Sequence, residues 1–252
     1  METLFIGQNA IHLTAVDSTN SYASEMLRQI RPVEGTIIYT FEQNKGRGQR
    51  GNEWHSEPNK NVALSIILHP VFMAPSEQFM LTKAVSLALA DLMAELLPDE
   101  ASEVKIKWPN DIYVHGQKIA GILIENIIAD NSIQSCIAGI GINVNQTEFN
   151  PVIKKAVSLK LLSGKEYDLV SLVEGLCRYV EARYLQLKSR KWEKLDHDYL
   201  KYLFQLNEWK TYIVPGEEFE GKILSVSSSG KLQVELHSAE VKEYDLKEIA
   251  FV

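Results

Sequence analysis

The stretch KGRGQRGNEW, 45–54, gathers Lys45, Arg47 and Arg50 around Gly46, Gly48 and Gly51. Glycine lets backbone N–H groups converge on an anion with no Cβ in the way, and guanidinium forks match the oxygens of a carboxylate or phosphate. The chemistry on offer is anion binding. The same glycines spell the G-x-G-x-x-G of dinucleotide sites, which also need a helix opening at the glycines and an acidic residue about 20 positions later. NEWHSEPNKN follows instead, with Pro58 in it, and IILHP at 66–70 carries no carboxylate. A kinase loop would require V-A-I-K, H-R-D and D-F-G, and a Walker A loop would end in Gly-Lys-Ser/Thr. None of these occurs. Taken alone, the loop also suits a solvated hairpin whose charges aid solubility.

The elements around the loop follow from periodicity. IHLTAV at 11–16 predicts a short strand, and Asp17, Ser18, Thr19 and Asn20 offer capping oxygens to a helix running to about Arg31, before Pro32. TIIYTFEQ at 36–43 and VALSIILHP at 62–70 predict strands on either side of the glycine loop. Ser76 is the expected cap of a core helix, EQFMLTKAVSLALADLMAELL, stopped by Pro98. VKIKWP, DIYV, KIAGILIENIIAD and SIQSCIAGIGINVN predict successive strands, with turns at His115-Gly116-Gln117 and Asp130-Asn131. Leu169, Leu172, Val173, Leu176 and Val180 follow helical spacing, and a second helix is expected over 192–206. From 210 onward the alternation of Leu232, Val234 and Leu236 with polar neighbours predicts a small β barrel. Strands interrupted by a few helices indicate an α+β fold with a central mixed β-sheet, over 1–209, and a barrel over 210–252.

Composition narrows the function. Across 252 residues the formal charge is -7 and no basic block concentrates positive charge, which argues against a dedicated nucleic-acid binder. METLFIGQNAIHLT lacks the basic start and apolar run of an export signal, and no stretch approaches the roughly 18 apolar residues of a membrane span. A cytoplasmic protein is expected, with no membrane partner. Cys136 and Cys177 lack metal-type spacing and suit buried reduced thiols.

Three more segments join DSTN and the Gln43-to-Gly51 stretch: Lys107-Trp108-Pro109-Asn110-Asp111, Lys118-Ile119-Ala120-Gly121-Ile122-Leu123, and Gly139-Ile140-Gly141-Ile142-Asn143-Val144-Asn145. In this order, over 17–145, the five motifs resemble those of biotin protein ligases. The resemblance implies a sheet like that of class II aminoacyl-tRNA synthetases and a C-terminal SH3-like barrel. It implies that biotin and MgATP form biotinyl-5′-adenylate, whose biotin passes to a lysine of a biotin carboxyl carrier domain of a carboxylase. By the same resemblance, biotin contacts fall on Ser18, Thr19, Asn20, Gln43, Arg47, Gly48, Gln49 and Lys118, with Gly121 and Ile122 beside the ligand. Arg50, Trp54, Lys107, Asn110 and Asn143 are candidates for the nucleotide and Asp111 for Mg²⁺. Arg47 and Lys118 are the expected catalytic cations.

Some of these residues have plainer readings. DSTN can simply cap a helix, and Trp108 suits core packing better than ligand contact. Many family members carry Arg where this chain has Gln49, so the loop here has one cation fewer and weaker adenylate retention is expected. Some members begin with a DNA-binding helix-turn-helix, whereas here the first motif starts at Asp17, so a ligase without DNA binding is expected. Family members also pair through the sheet, which admits a homodimer. The rivals are a lipoate ligase or octanoyltransferase of the same broad fold, a catalytically silent biotin or nucleotide sensor, and, last, a nucleic-acid regulator.

Overall fold

A computed structural model describes residues 2–150 and 155–252, with Arg50 described by its backbone alone. The chain opens with β1 (Ala10–His12), α1 (Thr19–Gln29) and β2 (Ile37–Thr40). A small hairpin, β3 (Gly46–Arg47) and β4 (Glu53–Trp54), leads into β5 (Asn61–Leu68). Then come α2 (Phe79–Leu96), β6 (Val104–Lys107), β7 (Asp111–Val114), β8 (Gln117–Ala129) and β9 (Ser132–Asn143). Helices α3 (Leu159–Ser163), α4 (Leu169–Lys188) and α5 (Trp192–Tyr202) follow.

Seven strands form one sheet in the order β1-β2-β5-β9-β8-β7-β6. Among the described residues the β1–β2 ladder is the one parallel pair of this sheet, so the sheet is mixed, as the strand pattern predicts. All eight residues of β5 are buried because both faces of the sheet are covered. On one face Val62, Leu64, Ile66 and Leu68 join the main core with the apolar sides of α2 and α4. On the other, Ile38, Ile67 and Ile137 pack against Ala23 of α1. The turns at His115-Gly116 and Asp130-Asn131 take positive φ at both residues, the geometry of a tight two-residue hairpin.

Several boundaries differ from expectation. β1 is only three residues, and Val16 instead makes a single bridge to Gln43. Ser76 does not cap α2: it lies in a 3-10 turn, Pro75–Glu77, where the Glu77 carboxylate accepts from the Ala74 N–H at 2.8 Å. Helix α5 stops at Tyr202 because Leu203 turns extended and Phe204 N donates to Ile106 O, drawing the chain to the sheet edge. Helix α3, too short for periodicity to reveal, is capped by Ser158 and closed by Gly164 in the left-handed region, φ 71°. Both cysteines are buried and free.

The C-terminal strands β10 (Trp209–Val214), β11 (Glu217–Val226), β12 (Leu232–Leu236), β13 (Val241–Tyr244) and β14 (Ala250–Phe251) pair as β13-β12-β11-β10-β14. This is a five-stranded antiparallel sheet with β13 and β14 at its edges; barrel closure is not part of the ladder. Its Tyr212, Ile223, Leu232 and Val234 join the main core, so the two sheets share one apolar interior. Trp108 is 4% exposed and its Nε1 donates to Gly230 O at 2.9 Å, clamping the sheets together. Trp108 thus packs in the core while also lining the cavity described below.

Candidate active site

The site lies on the sheet face that carries small residues. Register pairs Ala63 with Gly141, Ser65 with Gly139, and Gly121 with Gly141, so these five share one face. In GIGIN the glycines face this trough while Ile140 and Ile142 point into the main core. A Cβ on Gly139 would stand 2.1 Å from Asn20 Oδ1, and one on Gly141 would stand 2.5 Å from Trp54 Cε2. Only glycine admits both neighbours, because real Cβ atoms essentially never approach heavy atoms so closely.

The start of α1 enters this trough. Ser18 is its N-cap, its hydroxyl accepting weakly from Ser21 N at 3.4 Å, while Thr19 and Asn20 are buried. Gln43 Oε1 accepts from Thr19 N at 2.9 Å, and Ser65 Oγ lies 2.8 Å from Thr19 Oγ1 and 2.6 Å from Asn20 Oδ1. A hydroxyl and amide network therefore lines one end of the trough, which suits a polar, uncharged group such as a cyclic urea.

The glycine loop proves to be a folded hairpin. Asn44 N donates to Val16 O and Lys45 N to Asp17 O, which pins its base to the DSTN junction. Gly48 N donates to Asn52 O at 2.7 Å across a 3-10 turn, Gln49–Gly51. Gly51 at the end of that turn has φ 85°, a conformation that favours glycine. Arg47 leans from the hairpin to Glu125 on β8, Nη2 to Oε1 2.6 Å. Trp54 lies over Gly121 and Gly141, and its indole N–H is buried without a partner among the described residues.

The third wall is the β6–β7–β8 unit. Lys118 Nζ is 2.7 Å from Asp111 Oδ1 and 5.5 Å from the Trp54 ring centroid. Lys118 N donates to Lys155 O and its carbonyl accepts from Val157 N, which fixes the backbone beneath that ammonium. Lys107 Nζ sits 4.9 Å from the Phe251 ring centroid and 3.3 Å from Tyr113 Oη. Burial pushes the Lys107 ammonium below the usual lysine range, against the pull of Asp111, and Lys155 and Lys118 add to the lowering. Burial also raises the Tyr113 phenol to about 12, so it stays neutral and its oxygen accepts from the Lys107 ammonium.

One cavity of about 380 Å³ joins these walls. Ser18, Thr19, Asn20, Gln43, Arg47, Gly48 and Gln49 line one side of it; Trp54, Lys107, Asn110, Asp111, Lys118, Gly121 and Ile122 line the other. Asn143 is not among them: it is 4% exposed and its Nδ2 donates to Val157 O at 3.1 Å, a framework contact. Asn110 reaches the cavity, but its Nδ2 is committed to Ile122 O at 2.7 Å and holds the KWPND turn against β8. The side chain of Arg50 lies outside the described residues. Sequence reasoning missed Glu125 and Ser65, which bond Arg47 and Asn20, and the C-terminal Leu246, Ile249 and Phe251, which line the cavity. The small-residue alternation of GIGIN was a usable signal for the trough; nothing local signalled the others.

This cavity puts Arg47, Lys107 and Lys118 beside a neutral polar end. The model of the Biotin/lipoate A/B protein ligase family matches residues 13–143, which hold nearly every wall of the cavity. The chain belongs to that family. Over 250 residues this family member is 30% identical to the bifunctional ligase/repressor BirA of Bacillus spizizenii, covering 97% of the chain and 74% of the relative. A biotin--[acetyl-CoA-carboxylase] ligase of Paracoccus denitrificans is 36% identical over 133 residues, 52% of this chain and 53% of that one. Among solved structures, the biotin protein ligase of Aquifex aeolicus in complex with biotin and ATP superposes with a TM-score of 0.79 at 25% identity, covering 97% of this chain and 99% of that one.

Proposed function

We propose that this family member activates biotin with ATP and transfers it to a lysine of a biotin carboxyl carrier domain. The observation that carries the reading is the single cavity in which the Thr19–Asn20–Gln43 network faces Arg47, Lys118 and Lys107. A valerate-type tail running along the glycine trough brings its carboxylate from the neutral end to the cations.

In the first step a carboxylate oxygen bonds to the α-phosphorus of ATP as the bond to the β-phosphate oxygen breaks, releasing pyrophosphate. Bringing two anions to about 4 Å costs roughly 4 kcal/mol at an effective dielectric near 20. Lys118 offsets this by standing between the carboxylate and the α-phosphate, and Arg47 neutralises charge that grows towards the transition state. Lys107 faces the nucleotide under Phe251. Asp111 suits a Mg²⁺ held mainly by the phosphates, because that ion accepts one or two carboxylates and keeps its other positions for phosphate and water. When bound, the ion supplies charge neutralisation on the phosphates. In the second step the carrier amine attacks the acyl carbon, forming an amide while AMP leaves and the amine loses a proton.

The units 1–209 and 210–252 divide this labour in our reading, the second closing the nucleotide end through Leu246 to Phe251. Two buried thiols suit a reducing cytoplasm. The deciding experiment incubates the pure protein with MgATP and either biotin or lipoate and detects acyl-adenylate by mass spectrometry. Biotinyl adenylate alone is expected; lipoyl adenylate, or none, overturns the reading in favour of the sister enzymes or a silent sensor.

A further inference from the structure

Glu125 stands on β8 at the rim of the trough, and no step of the proposed reaction uses it. Its carboxylate is divided between two other elements. Oε1 is 2.6 Å from Arg47 Nη2 on the glycine hairpin, and Oε2 accepts from Asn20 Nδ2 on α1 at 2.8 Å. Arg47 Nη1 reaches Ser21 Oγ at 3.3 Å and Glu125 Oε2 at 3.5 Å, so the guanidinium bridges α1 and β8. Asn20 is held from both ends, since its Oδ1 takes the Ser65 hydroxyl and its Nδ2 also points at Leu123 O, 3.3 Å. Rotating that amide by half a turn would set its carbonyl against a carboxylate. One residue thus orients a pocket amide and ties down the hairpin.

We propose that Glu125 is a positioning residue, a latch that holds the glycine hairpin closed over the bound acyl-adenylate while fixing Asn20. The inference rests on the ligase reading for its ligand but not for its geometry. The side chains of Arg47 and Glu125 are 47% and 32% exposed, so the pair is wet enough to open and reform, unlike a buried ion pair. A ligand beneath the hairpin expels water and strengthens the pair, which couples occupancy to closure. Glu125 then governs how long the reactive intermediate stays sheltered.

The test compares wild type with Glu125→Gln, which keeps shape and loses charge, and Glu125→Asp, which keeps charge. Amide hydrogen exchange over 44–54 is read in the unliganded protein, and release of labelled adenylate is read by chase with unlabelled ligand. Glu125→Gln should raise hairpin exchange and speed adenylate release about fivefold, the scale of a partly exposed charge pair, with its melting temperature unchanged. Glu125→Asp should recover most of the retention. Unchanged release in Glu125→Gln overturns the latch even where exchange rises, and so does a loss of retention that Asp fails to reduce. A wild type that forms no adenylate removes the ligase reading, and unchanged exchange in Glu125→Gln would then overturn the latch independently.

Discussion

Lys118 Nζ stands 2.7 Å from Asp111 Oδ1, two side chains from adjacent strands of one hairpin that meet inside the cavity. The carboxylate keeps the ammonium extended into the cavity before any ligand arrives. Lys118→Ala should therefore slow biotinyl-adenylate formation about 100-fold or more, on the scale seen when a charge-stabilising donor is removed. Asp111→Asn should cost less at saturating substrate but raise the KM for MgATP. Both are read from pyrophosphate release, and a near-normal rate for Lys118→Ala, or for Arg47→Ala, would remove these residues from the mechanism.

Gly139→Ala should raise the KM for biotin at least tenfold, because the new methyl would meet Asn20 Oδ1 at 2.1 Å and displace it. Gly141→Ala would instead meet the indole of Trp54 at 2.5 Å and should weaken the nucleotide. Titration calorimetry with each ligand separates the two, and equal losses for both ligands in both variants would contradict this division of the trough.

Lys107 has its ammonium lowered by burial from the ordinary 10.5. Its charge is lost at lower pH than that of an exposed lysine, so the KM for ATP should climb on the alkaline side before 10.5 is reached. In the window between its lowered pKa and 10.5 the folded state binds fewer protons than the unfolded chain, so this group's contribution to stability rises with pH. Lys107→Arg, which keeps its charge, should flatten the alkaline limb of the ATP profile; an unchanged limb would place the titration elsewhere.

Behind the sheet, Asp198 faces burial that opposes its charge, but hydrogen bonds from Arg183 and Lys194 outweigh it and hold the carboxyl at about 2. Arg183 also grips Asp91 at 2.7 Å, so α2, α4 and α5 share one ionic knot. Stability from Asp198 is present above 3.8 and is lost as pH falls through about 2. Asp198→Asn should lower stability by about 2 kcal/mol at pH 7, the scale of a charged hydrogen bond, with the gap to wild type narrowing below pH 3 in denaturant titrations.

Gln49 lines the cavity from the hairpin tip as a neutral amide. Gln49→Arg adds a cation facing the ligand anion and should slow hydrolytic leakage of adenylate severalfold. Equal leakage would show that the missing cation has no bearing on retention.

Much of the fold was legible because it is written in short-range periodicity. The apolar, β-branched runs of β5, β8 and β9 and the all-round apolar α2 can each be read within about a dozen or two residues, and the five motifs announced the family. Ends of elements were less legible, since α5 stops where the sheet edge captures Phe204. Motif membership also did not separate ligand contacts from framework: Asn143 and Asn110 carry the same amide, yet one is buried in backbone hydrogen bonds and the other reaches the cavity.

What the sequence determined by itself was the kind of chemistry: cations on a glycine loop, helix-capping hydroxyls and an α+β frame, all properties of residues close in the chain. What tertiary structure alone decided was which distant side chains meet. Arg47 and Glu125 are 78 residues apart, and Phe251 closes over Lys107 from the far end of the chain. Those contacts arise from strand register and sheet packing, which bring remote segments within ångströms and leave no trace in local spacing.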